Sequence, residues 1–285
     1  TLGGKLHPDI GILWTGDKVV ACIDKPTMQF VNPLLKRKAF IWWNFPVSDY
    51  VRDRLLLGAV YGNGTDIDDD ISAFISNPME HAEASKIALF SIADYAWNMD
   101  AYKSDASWRR AVRYLMPGHA AALQVFASHN SDLGGNEHDF RREESEQIRP
   151  ALERLLDAYC REGKREVAAA SAVTEECERM IASADLLLAS DENPALIKEI
   201  SPWLMQFKLL GEFGREVLCM LAAQCDGKKT ELEKAASHAK ALQVLMKKID
   251  ATYNQNGFQP GVKTGSCHLK PAFDRLYQEV VQRTG

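Results

Sequence analysis

The chain has 285 residues, of which 46% are hydrophobic and 26% charged, and a formal net charge of −5. That length suits one large domain or two ordinary ones, and the composition suits a globular protein with a real core. The charge is mild and forms no basic block, which argues against a nucleic-acid footprint. No apolar run approaches the roughly 18 residues that cross a bilayer.

The opening TLGGKLHPDIGILWTG lacks the basic start and apolar stretch of a signal peptide, and it has no helix cap. Strand signals then fill the first hundred residues. Ile10 to Trp14 is a short apolar run ending at Thr15-Gly16, and Ala39 to Trp43 is another ending at Asn44. Between that run and the next lie Leu55-Leu56-Leu57-Gly58 and the turn-rich Tyr61 to Asp66. Ser72 to Ser76 is a third run, closed by Asn77-Pro78, where proline cannot continue a ladder. Beyond it, Ala84, Ile87, Ala88, Ile92 and Tyr95 recur at helical spacing.

From about residue 101 the pattern predicts helices only. Ser107 to Met116 is the first, with Trp108, Val112 and Leu115 on its apolar face, and a polar loop, HNSDLGGNEHDF, follows over His129 to Phe140. Within that loop Asn130 to Asp139 does not match a calcium-loop pattern and reads as a solvated hinge. Four amphipathic helices come next. Leu152, Leu155, Leu156 and Tyr159 mark the first; Val173, Cys177, Met180, Ala184 and Leu187 mark the second. Trp203, Phe207, Leu210, Val217 and Leu221 mark the third, and Leu242, Leu245 and Ile249 the fourth, with a break at Asp226-Gly227. A loop with Asn256-Gly257 and Pro260-Gly261 precedes a last helix, Ala272 to Gln282. Short connections favour antiparallel neighbours in a bundle.

The six cysteines show no CxxC and no regular spacing, so they read as structural thiols rather than disulfides or metal ligands. Four of them fall in helical segments, where a buried thiol acts as a small apolar group.

Alternate side chains of a strand share a face. Trp42 and Asn44 therefore point one way, and Ile41 and Trp43 the other. If the three runs are strands of a β/α barrel, chemistry belongs at their C-terminal ends. Trp42 then forms an apolar wall, Asn44 and Asn77 hydrogen-bonding groups at strand tops, and Asp49 a carboxylate in the loop beyond. One aromatic surface with Asn, Asp and Asn suits a hydroxylated ring bearing a small apolar substituent, which describes a sugar. Each residue also has a plainer reading: Trp42 as core, Asn77 as a turn residue before proline, Asp49 as the cap of a helix at Tyr50-Val51-Arg52. The carboxylates Asp68-Asp69-Asp70 precede a strand, at the stability end of a barrel, and read as loop or helix-start residues.

Three blocks, WWNFPVSDY, LLLG-x-VYGN and NPMEHAEASKIALFSIADYAWN, together resemble glycoside hydrolase family 84, the bacterial relatives of the O-GlcNAcases and β-N-acetylglucosaminidases. The resemblance continues through HNSDLGGNEHDFRREES, SPWLMQFKL and NQNGFQPGVKT, and so covers nearly the whole chain. It implies a mainly α chain with a small α/β part: over 1–140 the last strands and helices of a (β/α)8 TIM-type barrel, over 141–285 an α-helical bundle domain. It also implies hydrolysis of terminal β-linked N-acetylglucosamine. Thr15 and Trp42 match the family's acetamido pocket; Asn44, Asp49 and Asn77 match its sugar-lining residues, with Asp49 gripping ring hydroxyls.

The family's mechanism is a substrate-assisted retaining one, an exception to the two-carboxylate scheme. The substrate's acetamido oxygen attacks its own anomeric carbon and gives an oxazoline. Of two adjacent aspartates, one orients the acetamide and the other serves as acid and then base. That pair, and about five preceding strands of the barrel, are expected upstream of Thr15 and are missing from these residues. The expectation is therefore an inactive piece with no catalytic residue of its own and no metal or organic cofactor. Its unpaired strand edges, and an uncovered apolar face around Trp42, Trp43 and Leu55 to Leu57, would associate with the missing barrel half or with a second copy. Its partners would be glycans or glycoproteins bearing N-acetylglucosamine. Export to the periplasm or beyond is favoured by the resemblance only. Two rival readings are a non-catalytic helical interaction module and a lectin-like remnant. The charged residues Glu233, Lys234, Lys240, Lys247 and Lys248 weigh against the first, and the incompleteness of the pocket weighs against the second.

Overall fold

A computed structural model describes residues 2–131 and 144–284. Most of the polar loop at 129–140 and of the block that follows it, with the hinge expected there, lies outside the described residues. The described chain divides into two compact units: residues 2–51, 55–118 and 131 in the first, and 52–54, 119–130 and 144–284 in the second.

The first unit is built on strands β1 (Leu13–Trp14), β2 (Ala39–Trp43) and β3 (Ile71–Ser76), with helices α1 (Lys25–Leu35), α2 (Ala82–Trp97) and α3 (Ser104–Leu115). The strands are parallel in the order β1-β2-β3, with Trp14 opposite Ile41 and Trp43 opposite Ser76. Helix α1 adds to the elements predicted from the apolar pattern, and its start is conventional: Asp24 accepts from the Thr27 N–H at 2.9 Å, and proline occupies the first turn. Arg37 then gathers the N-terminal segment, donating to the carbonyls of Gly3, Leu6, His7, Pro8 and Ile10.

Burial along β2 alternates as a pleated strand requires. Ala39, Ile41 and Trp43 are buried, whereas Trp42 is 37% exposed. Trp43 sits at 5.1 Å from Phe45 and 5.8 Å from Phe74, ring to ring, and Phe74 meets Tyr95 of α2 at 5.6 Å. The expected uncovered face is therefore only partly present. Leu13, Phe40 and Trp42 share the open side, but Trp43 and Leu55 to Leu57 are buried. The connection from β2 to β3 explains the correction. Residues 55–60 run as a buried irregular segment whose backbone groups are satisfied by side chains: Trp108 Nε1 donates to the Leu57 carbonyl at 2.8 Å, Tyr102 to Val60 at 2.9 Å, and Ser91 Oγ accepts from the Val60 N–H at 2.9 Å. A buried connection without such partners would be costly.

The second unit holds α4 (Ala120–Ser128), α5 (Arg149–Glu162), α6 (Val167–Leu188), α7 (Pro194–Cys225), α8 (Lys229–Tyr253) and α9 (Leu269–Thr284). It also contains a small antiparallel pair, β4 (Asn254–Asn256) and β5 (Gln259–Pro260), which corrects the expectation of helices only. The predicted faces of α6 and α7 are the buried ones, and α6, α8 and α9 all pack on α7. Gly214 makes this close approach possible: a Cβ there would lie 2.8 Å from Cys177 Sγ and 2.5 Å from the Phe273 ring.

For α8 the predicted face is wrong. Leu232, Ala235, Ala239 and Met246 are buried, Leu242 and Ile249 only half-buried, and Leu245 is 47% exposed beside Val244 at 60%. Of the four helical cysteines only Cys177 is fully buried, and burial pushes its thiol up to about 12; Cys160 is half-buried, and Cys219 and Cys225 are exposed.

His129, at the end of α4, is buried with Glu176 of α6 and Ser145. Its Nε2 lies 2.7 Å from Glu176 Oε1 and its Nδ1 2.7 Å from Ser145 Oγ, while Glu176 also pairs with Arg179. Burial first, and then the Arg179 charge, hold the imidazole down at about 3. The neutral ring thus donates to Glu176 and accepts from Ser145. An unfolded histidine titrates near 6.5, so below that pH the unfolded chain binds a proton that the fold excludes. Stability of the second unit is expected to fall with pH from about 6.5 towards 3, by up to ~1.4 kcal/mol per pH unit. Urea unfolding at pH 7 and pH 5 checks this, because His129→Gln should shrink the difference between the two.

Candidate functional site

The first unit places chemistry-bearing residues along one edge of the sheet, where its strands end. Thr15 directly follows β1, Asn44 follows β2, and Asn77 follows β3. The register sets Trp43 beside Ser76, so the two asparagines become neighbours. Asn44 Oδ1 accepts from Trp42 Nε1 at 2.9 Å and from Asn77 Nδ2 at 3.2 Å, and Asn44 Nδ2 donates to the Val19 carbonyl at 2.7 Å. That network joins three of the five predicted residues. Trp42 is therefore not the core tryptophan of the pair; it presents its ring on the open face while its N–H is fixed by Asn44. The turn reading of Asn77 is also too small. Its N–H extends the ladder to the Trp43 carbonyl at 2.9 Å, and its own carbonyl accepts from Val47 at 2.8 Å.

Thr15 is half-buried and followed by Gly16, whose φ of +106° belongs to the left-handed region. A Cβ at Gly16 would stand 2.6 Å from that of Ala21, which shows how tightly residues 16–21 turn back. The same turn supplies the Val19 carbonyl to Asn44 and the Ala21 carbonyl to Trp43 Nε1 at 3.0 Å. Sequence reasoning missed this support, for which the glycine after Trp14-Thr15 was the available signal.

Asp49 is exposed and lies in a turn rather than at a helix start; residues 49–54 form turns and bends, so the capping alternative does not hold. The carboxylates Asp68–Asp70 form a single short 3₁₀ turn at the opposite end of β3, and Asp70 pairs with Lys25 Nζ at 2.6 Å. They belong to the scaffold. Among the described residues, no cluster of three or more His, Cys, Asp or Glu side chains could hold a metal ion.

Comparison with known proteins accounts for both units. Residues 1–128 match the family model for beta-N-acetylglucosaminidase, and residues 144–277 the model for the bacterial GH84 post-catalytic domain. The chain belongs to glycoside hydrolase family 84. It is 36% identical over 107 residues to the protein O-GlcNAcases of Rattus norvegicus and Mus musculus, a stretch that is 37% of this chain and 12% of theirs. The solved structure of CpGH84D is 27% identical, with a TM-score of 0.84 over 98% of this chain and 46% of that one. A variant of the Thermobaculum terrenum O-GlcNAc hydrolase shares the fold, at 22% identity and a TM-score of 0.77 over 99% of this chain and 57% of that one. The chain thus spans about half the length, or less, of the relatives it matches.

Asn44 ends three hydrogen bonds and Asn77 Nδ2 only one. Asn44→Ala is expected to cost the first unit ~1–2 kcal/mol and Asn77→Ala ~0.5–1 kcal/mol. Urea unfolding of the two variants measures the difference, and equal losses would mean that Asn44 does not organise this edge.

Proposed function

We propose that this chain supplies the last strands of a (β/α)8 barrel and the helical domain behind it, in an enzyme that removes terminal β-linked N-acetylglucosamine. The observation that carries the proposal is the row of strand ends: a parallel sheet in sequential order with Trp42, Asn44 and Asn77 bonded together at its C-terminal edge. A barrel concentrates substrate contacts at that edge. Family membership and the match of residues 1–128 to a β-N-acetylglucosaminidase support the same reading.

In this reading Trp42 and Thr15 line the small pocket for the acetamido group. The indole offers a flat apolar surface to the methyl, and its N–H, already held by Asn44, leaves the ring little freedom to turn. Asp49, as a carboxylate, only accepts hydrogen bonds, so it recognises ring hydroxyls, each of which can donate to it. Asn44 and Asn77 complete the polar wall. The acetamido oxygen closes on the anomeric carbon to give the oxazoline, and an aspartate pair polarises the acetamide and carries the proton to and from the leaving oxygen and water. Among the described residues the adjacent aspartates Asp68–Asp70 lie at the opposite end of β3 from Asn44 and Asn77, so we do not read them as that pair. General acid–base catalysis contributes typically ~10²–10⁴-fold, so the chain by itself is proposed to bind its share of the sugar without turning it over.

The second reading, a helical interaction role, is favoured by one observation: Val244 and Leu245 are exposed on α8 beside a groove lined by Leu188, Met205, Leu209 and Ile249. The exposed Glu233, Lys234, Lys240, Lys247 and Lys248 on the same helix weigh against it.

Hydrolysis of an aryl β-N-acetylglucosaminide tests the main proposal. Residues 1–285 alone are expected to give no turnover, and the chain joined to the upstream part of its barrel to be active. In that active form Asp49→Ala should lower kcat/KM by about 10- to 100-fold. Turnover by residues 1–285 alone would show that an acid/base is present among them.

A further inference from the structure

The second unit leaves an apolar groove open between three of its helices. Leu245 and Ile249, one turn apart on α8, line it together with Leu188 of α6 and Met205 and Leu209 of α7, around a volume of about 420 Å³. Val244 stands at its edge, more exposed than any of them. All of these residues belong to the one unit. They are not the contacts that hold the helices together: α7 packs through Leu204 and Phe207, and α8 through Ala239 and Met246, all of which are buried. Single exposed apolar residues are ordinary, but several converging on one concavity mark a surface that something covers.

The charges around the groove have one sign. Lys208 and Lys248 line it, and no carboxylate does. Lys208 Nζ is already held by Asp185 at 2.6 Å. The ammonium groups of Lys240, Lys247 and Lys248 have no partner among the described residues. Lys240 and Lys248 lie one turn to either side of Val244, so the unneutralised charge bordering the apolar strip is positive.

We propose that this groove docks an amphipathic helix of a partner protein, apolar on the face it inserts and acidic along its flank. The inference rests on the reading of the helical unit as an interaction module and adds the partner's chemistry to it. Apolar residues at i, i+3, i+4 and i+7 of such a helix fill a groove between two helices, here between Leu245 and Ile249 on one side and Met205 and Leu209 on the other. A carboxylate one turn away meets Lys248. The lysines, which weigh against a wholly apolar contact, thereby select the partner by charge. A second copy of this chain docking through the same face would set Lys248 against Lys248, since such a contact is self-complementary. A flat anionic bilayer would meet the lysines but leave the concavity unfilled.

The test uses a displayed library of 16-residue peptides with leucine fixed at i, i+3, i+4 and i+7 and the other positions random, selected on residues 1–285. Enriched peptides should carry Asp or Glu beside the leucine stripe. Leu245→Ala should weaken them about 10-fold, and Lys248→Glu about 3- to 10-fold at low salt, a loss that shrinks as salt is raised. Lys248→Arg should bind as the parent does. Leu245 lies outside the buried line of α8, so urea unfolding of Leu245→Ala should stay within ~0.5 kcal/mol of the parent, which separates lost docking from lost fold.

Enrichment without an acidic bias, still lost in Leu245→Ala, overturns the acidic partner and leaves the interaction role standing. No enrichment overturns both. Leu245-dependent binding to vesicles of four parts phosphatidylcholine to one of phosphatidylserine, with no peptide enriched, replaces the partner helix with a lipid surface. Loss of peptide binding when the chain is joined to the upstream part of its barrel also overturns the proposal, because the groove is then already covered.

Discussion

The first unit depends on one side-chain amide. Asn44 stands where β2 runs out of ladder partners, and its single oxygen takes the N–H of the tryptophan two residues back and the amide of Asn77, the residue just after the next strand. Parallel pairing makes this possible, because strands that run the same way finish side by side. The alternation of the strand then does the rest. Trp43 goes into an aromatic core with Phe45 and Phe74, and Trp42 is left on the open face with its polar edge already satisfied. In the proposed reading this half-exposed indole, its N–H already held by Asn44, presents a surface to a sugar substituent at little further ordering cost.

The rest of the edge is held by groups of ordinary kind at unusual density. The turn after Thr15 hands two carbonyls to the Asn44 and Trp43 side chains. Arg37 collects the carbonyls of the N-terminal residues, which would otherwise have no ladder to join. The irregular stretch 55–60 is buried because three side chains from α2, α3 and the residues between them answer its backbone. In the second unit the same logic appears at Asp53, where one carbonyl receives an indole and a backbone N–H. Both units thus use tryptophan N–H groups as long-range fasteners for irregular chain.

What the sequence discloses follows from how local each feature is. Strand β2 is legible residue for residue, because AFIWW is apolar and β-prone and Asn44 ends it. Helices α6 and α7 are legible because their stripes are large side chains at strict helical spacing. Helix α8 is not, since its buried line uses Ala235 and Ala239, whose small size permits close packing but gives little apolar signal, while Leu245 is conspicuous and exposed. Helix α1 and the β4–β5 pair carried readable signals, Asp24 before Pro26 and Asn256-Gly257, that the pattern of large apolar residues overshadowed. The burial of Leu55 to Leu57 had no local signal, because its partners lie some 30 to 50 residues onward. Of the candidate site, the shared edge of Thr15, Asn44 and Asn77 at the strand ends was readable; the bond from Asn77 to Asn44 and the turn at Gly16 were not.

The reading as a whole rests on a sugar lying against these strand ends. A crystal structure of this chain within the proposed complete barrel, with N-acetylglucosamine bound, measures this directly. The account places the acetamido methyl against Trp42 near Thr15, the ring hydroxyls within hydrogen-bond reach of Asp49, and Asn44 and Asn77 on the polar wall. A sugar bound with none of these side chains in contact would contradict it.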